Sequence, residues 1–425
     1  MNQTPDIQCD LLIIGAGMAG MAAAVFASTR KIETVLVGIT SEMIFASGLF
    51  DLLGVHPIEN GAFIENPWQG IANLTQENPD HPYAKIPATT IQKAMAELVA
   101  YLNATGLTYT SHRECNVLIL TPAGTLKPSY YVPQTMLAGA QAYKSKAPCL
   151  IVDIKGLKGF SSRQIIAPFK ESWPDLAQTS IPFPGLDQRG ELYLEPLARA
   201  MVLPQNRQAL ADTLRPLING FHYVGLPAMF GIQRPGDICS DLENQLGVKL
   251  FEIPTMPPSI PGLRLKETFE SALPGNGVRC LVPKRVLSVD SRGHDFFVRV
   301  GDAATDHVIK TRGVILASGR FLGRGLRADR MKIRESIFNL PVHQPEKRRE
   351  WHRFEFLHPS GHPINRAGLE TDCDFRPLDA SGQAAHQRLF AAGSILAHQD
   401  WVRSKCGSGL AIATAFAAVN AFIDT

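Results

Sequence analysis

A chain of 425 residues with 45% hydrophobic and 19% charged side chains has the profile of a soluble globular protein, either of two or three domains or of one nucleotide domain interrupted by an insertion. A formal charge of +3 is too small to argue for a nucleic-acid partner. The seven cysteines (Cys9, Cys115, Cys149, Cys239, Cys280, Cys373 and Cys406) include no C-x-x-C pair and no cluster suited to zinc or an iron–sulfur centre. No metal site is therefore expected, and the odd, unpaired set fits a reducing cytoplasm.

The first apolar run, "LLIIGAGMAGMAAAVFA", follows Asp6 and Asp10 where a signal peptide would be basic, and glycines interrupt it. Residues 9–38 read instead as strand, glycine turn, helix and strand. Both strands are continuously apolar, as expected for parallel strands covered on two faces, and Ala19, Gly20, Ala22, Ala23 and Ala24 let the helix approach the sheet. Gly15, Gly17 and Gly20 form G-x-G-x-x-G between that strand and helix. In this context the first glycine permits a tight turn, the second admits a phosphate to the backbone N–H groups, and the third permits close helix packing.

The segment "MIFASGLFDLLG" that follows contains Ser47 and Gly48, candidates for contacts to a cofactor phosphate or ring. A helix is expected from the spacing of Ile91, Met95, Leu98 and Leu102, ending at Gly106. Residues 116–254 change in texture, and "CLIVDIKG" and "HYVGLPAMFG" read as buried strands, which predicts an inserted α/β cap domain between two parts of a flavin-binding domain, 1–115 and 255–425. Short strands then lead to "GVILASG", which ends at Gly319, and to "RLFAAGSIL", which carries Gly393 and Ser394. The last run, "CGSGLAIATAFAAVNAFI", opens at Gly407 and Gly409 and reads as a buried helix whose N-terminus supplies positive potential.

A strand ending in "FAAGS" and a following "GSGLAIATA" helix resemble the two-part flavin site of fumarate-reductase-like and glutathione-reductase-like proteins. The predicted fold is accordingly a Rossmann-like flavin-binding α/β domain of that kind with an inserted cap. More distinctive still, "SGLFDLLG", "HPYAKI", "TPAGTLKPSYYVPQTM", "IPTMPPSIPGLRL", "VILASGRFLGRGLRADR" and "LFAAGSILAHQDWVRSKCGSGLAIATA" occur in order along nearly the whole chain. In these segments the chain resembles the B subunit of the anaerobic glycerol-3-phosphate dehydrogenases.

That resemblance implies a flavoprotein with two partners: a catalytic flavoprotein subunit, and a membrane-anchoring iron–sulfur subunit that docks the pair on the cytoplasmic face of the inner membrane. The complex would oxidise sn-glycerol 3-phosphate to dihydroxyacetone phosphate in anaerobic respiration and glycerol degradation, with quinone reached indirectly. FMN is the cofactor the resemblance implies, with FAD the alternative. Gly38 stands where a typical FAD site has an acid for the adenosine ribose, and Ser394 stands where related families carry another. This pattern suits FMN, whereas the intact glycine loop suits FAD, with Glu42 or a backbone carbonyl on the ribose. A second alternative is a stand-alone fumarate-reductase-like oxidoreductase.

Oxidising a secondary alcohol requires a base, and His358 and His362 are the candidates, set against the commoner role of loop histidines satisfied by backbone or water. Arg320, Arg324, Arg327, Arg330, Lys332 and Arg334 form a basic run that suits docking of partner subunits better than a phosphate clamp. Substrate chemistry is expected in the partner, and electron relay here.

Overall fold

The computed structural model describes residues 4–39, 42–112, 114–185 and 190–425, without the Glu42 side chain. The chain forms two compact units. The first comprises Met1–Glu42, Asp51–Tyr101 and Phe269–Thr425, and the second Met43–Phe50 and Leu102–Thr268. The second unit therefore extends beyond 116–254 at both ends. The boundaries of its long segment, Leu102–Thr268, fall inside the helices Ala88–Ala104 and Ile260–Gly275, where an uninterrupted helical pattern gives no linker signal.

In the first unit, β1 (Ile7–Ile14), α1 (Met18–Thr29) and β2 (Thr34–Val37) make the expected βαβ turn. The sheet is completed by β3 (Val278–Leu281), β4 (Arg285–Arg292), β5 (Asp295–Gly301), β6 (Thr305–Leu316) and β7 (Leu389–Ala391), in the order β3-β2-β1-β6-β5-β4 with β7 also on β6. β1 pairs along its whole length with the second part of β6, from Ile7↔Ile309 to Ile14↔Leu316. Its other edge is divided: the first part takes β5 antiparallel and Val314–Leu316 takes β7 parallel. The ends of β1, β6 and β7 are thus carried to one edge of the sheet, where three glycine-containing turns meet.

Helix α2 (Gly407–Asp424) packs on α1, with Phe26 and Phe416 edge to face at 5.0 Å. Ala22, Ala23 and Ala24 are fully buried, which permits this close layering. Each large side chain buried here contributes roughly 1.5–3 kcal/mol. By length and composition α2 is apolar enough to cross a membrane, but 61% of it is buried, as expected for a core helix.

The second unit is built on a parallel sheet of Lys249–Ile253, Tyr223–Pro227, Cys149–Ile154 and Leu176–Ile181, in that spatial order. Three of its strands are largely buried, with Leu176–Ile181 a more exposed edge, and helices cover them, which makes it the α/β insertion the sequence predicts. A buried Glu252–Arg264 pair, joined at 2.6 and 2.7 Å, is completed by Thr135 and the Phe230 N–H, both donating to the carboxylate at 2.7 Å. Burial opposes charge on Glu252, but the Arg264 guanidinium and these donors hold its carboxyl below the ordinary value.

Candidate functional site

The turn between β1 and α1 is shaped by close approach. Gly15 has φ +124° and donates its N–H to the Val37 carbonyl at 2.7 Å. A Cβ at Gly15 would stand 2.5 Å from the Ala317 carbonyl carbon, and one at Gly20 would stand 2.8 Å from the Gly15 carbonyl carbon. Neither position tolerates a side chain. Gly17, the N-cap of α1, differs: a Cβ there would meet no described atom within 4 Å. No side chain caps this helix and no acid stands in its first turn, so its first N–H groups and its dipole are left to receive an anion.

Next to it lies the end of β6. The Ala317 N–H donates to Ile14 at 2.8 Å, and Ser318 follows with a buried hydroxyl that has no hydrogen-bond partner among the described residues. Gly319 has φ +69°, and a Cβ there would lie 3.7 Å from Ser394 Oγ. From β7, Gly393 (φ +79°) is held by its N–H on Thr414 Oγ1 at 2.8 Å, so close to α1 that a Cβ would sit 2.7 Å from that of Ala19. The structure thus brings Gly15, Gly20, Gly319, Gly393 and Ser394 together, with Gly17 on the open side.

Arg320 departs from the expected basic face. It is half-buried, with its Nε donating to Ser394 O at 2.7 Å and its terminal nitrogens to the carbonyls of Asn365, Leu396 (3.2 Å) and Gln399 (3.0 Å). Burial lowers its pKa to about 10, partly offset by Asp400. The guanidinium fixes the 394–399 turn from within and cannot dock a partner. Arg324, Arg327, Arg330, Lys332 and Arg334 are exposed, as a docking face requires.

The start of α2 is partly occupied by protein. Gly409 N–H donates to Asp51 O at 2.7 Å, and the Asp51 N–H donates to Ser408 Oγ at 2.7 Å. A Cβ at Gly407 would approach the Trp401 ring at 2.8 Å. Both glycines therefore serve packing, and the Gly409 donor is already satisfied.

Ser47 and Gly48 belong to the second unit, where Ser47 Oγ accepts from Lys127 at 3.2 Å and Gly48 O from the Tyr109 hydroxyl at 2.8 Å. His362 is held by backbone on both ring nitrogens, accepting from Arg353 N–H at 3.1 Å and contacting Phe356 O at 3.0 Å. His358 Nδ1 accepts from Ser360 N–H at 3.2 Å. Both have the loop-histidine arrangement.

An uncapped helix N-terminus beside a residue without a Cβ, next to a buried hydroxyl lacking a partner, suits a nucleotide phosphate and its attached chain, so these residues fit a flavin nucleotide. Comparison with known proteins agrees. The family profile "FAD binding domain" matches residues 10–410. The B subunit of anaerobic glycerol-3-phosphate dehydrogenase from Vibrio vulnificus is 31% identical over 97% of this chain and 95% of its own. This chain belongs to that family. A probable B subunit from Halobacterium salinarum is 30% identical over 98% of each chain. Among solved structures, a 3-ketosteroid Δ1-dehydrogenase from Sterolibacterium denitrificans is a distant likeness, with 12% identity, 98% and 100% coverage and a TM-score of 0.44.

Membership makes the chain an oxidoreductase, one subunit of a flavin-related dehydrogenase. It does not support FMN as the first choice of cofactor, because the matching profile is that of an FAD-binding family. The missing acid has a local steric cause: a Cβ at Gly38 would stand 2.8 Å from Ala16 N, so the β1–α1 turn itself occupies the space of a side chain. Two residues of the site escape sequence reasoning. Ser318 has only its place before Gly319 as a signal, and Thr414 reads as no more than a break in an apolar run.

Proposed function

We propose that this chain is the electron-relaying flavoprotein of a membrane-associated anaerobic glycerol-3-phosphate dehydrogenase. In this reading the complex converts sn-glycerol 3-phosphate to dihydroxyacetone phosphate and delivers electrons to quinone. The observation that carries the proposal is the near-full-length relation to proteins named as the B subunit of that enzyme, combined with a first unit whose turns fit a flavin. The cofactor is FAD: the α1 N-terminus and Gly17 receive its phosphates, Ser318, Gly319, Gly393 and Ser394 flank the attached chain, and Gly38 supplies no ribose carboxylate. Bound flavin accepts two electrons and can release them singly.

Substrate oxidation belongs to the catalytic flavoprotein partner, supported by the engagement of both His362 nitrogens by backbone. The exposed Arg324, Arg327, Arg330, Lys332 and Arg334, with Leu322 and Met331 exposed among them, form the docking face for that partner and for the iron–sulfur subunit. Membrane attachment is peripheral, on the cytoplasmic face, through the iron–sulfur subunit.

The deciding experiment mixes the purified chain with glycerol 3-phosphate under anaerobic conditions and follows flavin absorbance. Unchanged absorbance alone and bleaching on addition of the catalytic partner are expected. Bleaching by substrate without that partner would overturn the relay, and release of FMN on denaturation would overturn the cofactor assignment.

A further inference from the structure

Outside the flavin turns, three side chains distant in sequence converge on one point of the first unit. Glu370 Oε1 lies 2.8 Å from His398 Nε2 and 3.4 Å from His343 Nδ1, and the three atoms all lie within 4.8 Å of one another. The imidazole centroids are 4.2 Å apart. Zinc-type ligand bonds of about 2.0–2.1 Å at tetrahedral angles separate neighbouring ligand atoms by about 3.3 Å, and the two measured separations bracket that value.

The backbone holds this set in place independently of any ligand. His343 exchanges two hydrogen bonds with Gly368, at 2.8 and 3.1 Å. Leu369, beside Glu370, bonds Ile395 O at 2.8 Å and accepts from Ala397 N–H at 2.9 Å, which locks the Glu370 segment to the one bearing His398. A Cβ at Gly368 would stand 2.6 Å from Ala397 N, so glycine permits this approach. His398 itself adopts φ +63°, a conformation L side chains rarely take. Its N–H donates to Arg366 O at 3.0 Å, and its carbonyl accepts from Asn78 at 3.2 Å.

We propose that His343 Nδ1, His398 Nε2 and Glu370 Oε1 bind a divalent transition-metal ion of the zinc class. Two imidazoles and one carboxylate make a ligand set characteristic of such ions, and three protein ligands leave a position for water or an oxyanion. His343 and Glu370 are exposed and His398 is partly so, which gives an ion a path from solvent. The absence of a cysteine motif has no bearing here, because none of the ligands is cysteine. The site is independent of the flavin assignment.

The test uses the full-length flavin-loaded chain, stripped with chelator and titrated with Co²⁺ while visible ligand-field absorption is followed, then challenged with Zn²⁺. Wild type is expected to take up one Co²⁺ that Zn²⁺ displaces. His398→Ala and Glu370→Gln are each expected to weaken binding by more than about tenfold, since even outer-shell changes cost 10–100-fold, with flavin content retained. Because His398 occupies a constrained backbone position, the exposed His343→Ala provides a variant with little demand on folding. Absence of stoichiometric binding in wild type, or unchanged Co²⁺ affinity in both His343→Ala and Glu370→Gln, would overturn the proposal and leave a hydrogen-bonded His–Glu–His cluster.

Discussion

Acid should weaken the fold well above the ordinary carboxylate range, and His81 is the reason. It is 2% exposed and its Nδ1 accepts the Tyr83 N–H at 3.1 Å, which places the ring proton on Nε2, a buried atom with no partner among the described residues. Burial first, then His56, His398 and Arg366, push its pKa down from 6.5 to about 3. Because the folded value is depressed, the unfolded chain binds the proton more readily at intermediate pH. The contribution of neutral His81 is fully present above 6.5 and is lost progressively as pH falls toward 3. At about 1.36 kcal/mol per pH unit, pH 5 costs about 2 kcal/mol. Urea unfolding of wild type and His81→Gln at pH 7.5 and pH 5, both with chelator present, isolates this group from other titrating residues. The variant should start less stable but lose about 2 kcal/mol less than wild type over that interval. An equal loss in both proteins would refute the burial argument.

The glycine loop separates folding from binding. Gly20→Ala forces a Cβ against the Gly15 carbonyl and should lower the melting temperature of the apoprotein, whereas Gly17→Ala, with no described atom within 4 Å, should leave it unchanged and reduce the flavin-to-protein ratio. Retention of full flavin by Gly17→Ala would count against a phosphate at α1. Arg320→Met removes one donor from each of four carbonyls; Ser394 O and Leu396 O keep the Gln399 amide, so the Asn365 and Gln399 carbonyls carry the cost, roughly 1–3 kcal/mol each when left unpaired. Faster amide exchange across 394–399 and weaker flavin retention should follow, and wild-type exchange would show that the turn holds without the guanidinium.

The elements legible in sequence are those whose local pattern admits a single packing solution. β1, α1 and β2 can be read because apolar strands flank a turn in which Gly15 and Gly20 are sterically compelled, and α2 because its small apolar residues suit burial against α1. Arg320 cannot be separated from Arg324, Arg327 and Arg330 by composition, since the difference lies in tertiary contact with carbonyls of the 365–399 region. Nor can His343, Glu370 and His398 be grouped from sequence, since they are united only by the bridges at Gly368 and Leu369. Gly38 shows why a motif departure should not be converted directly into a change of ligand. Its missing carboxylate is a reason to choose the smaller flavin, yet Ala16, itself buried, closes the space that a side chain at 38 would need. The residue at 38 is therefore constrained by the packing of the phosphate turn, and it carries no independent information about whether adenosine is bound.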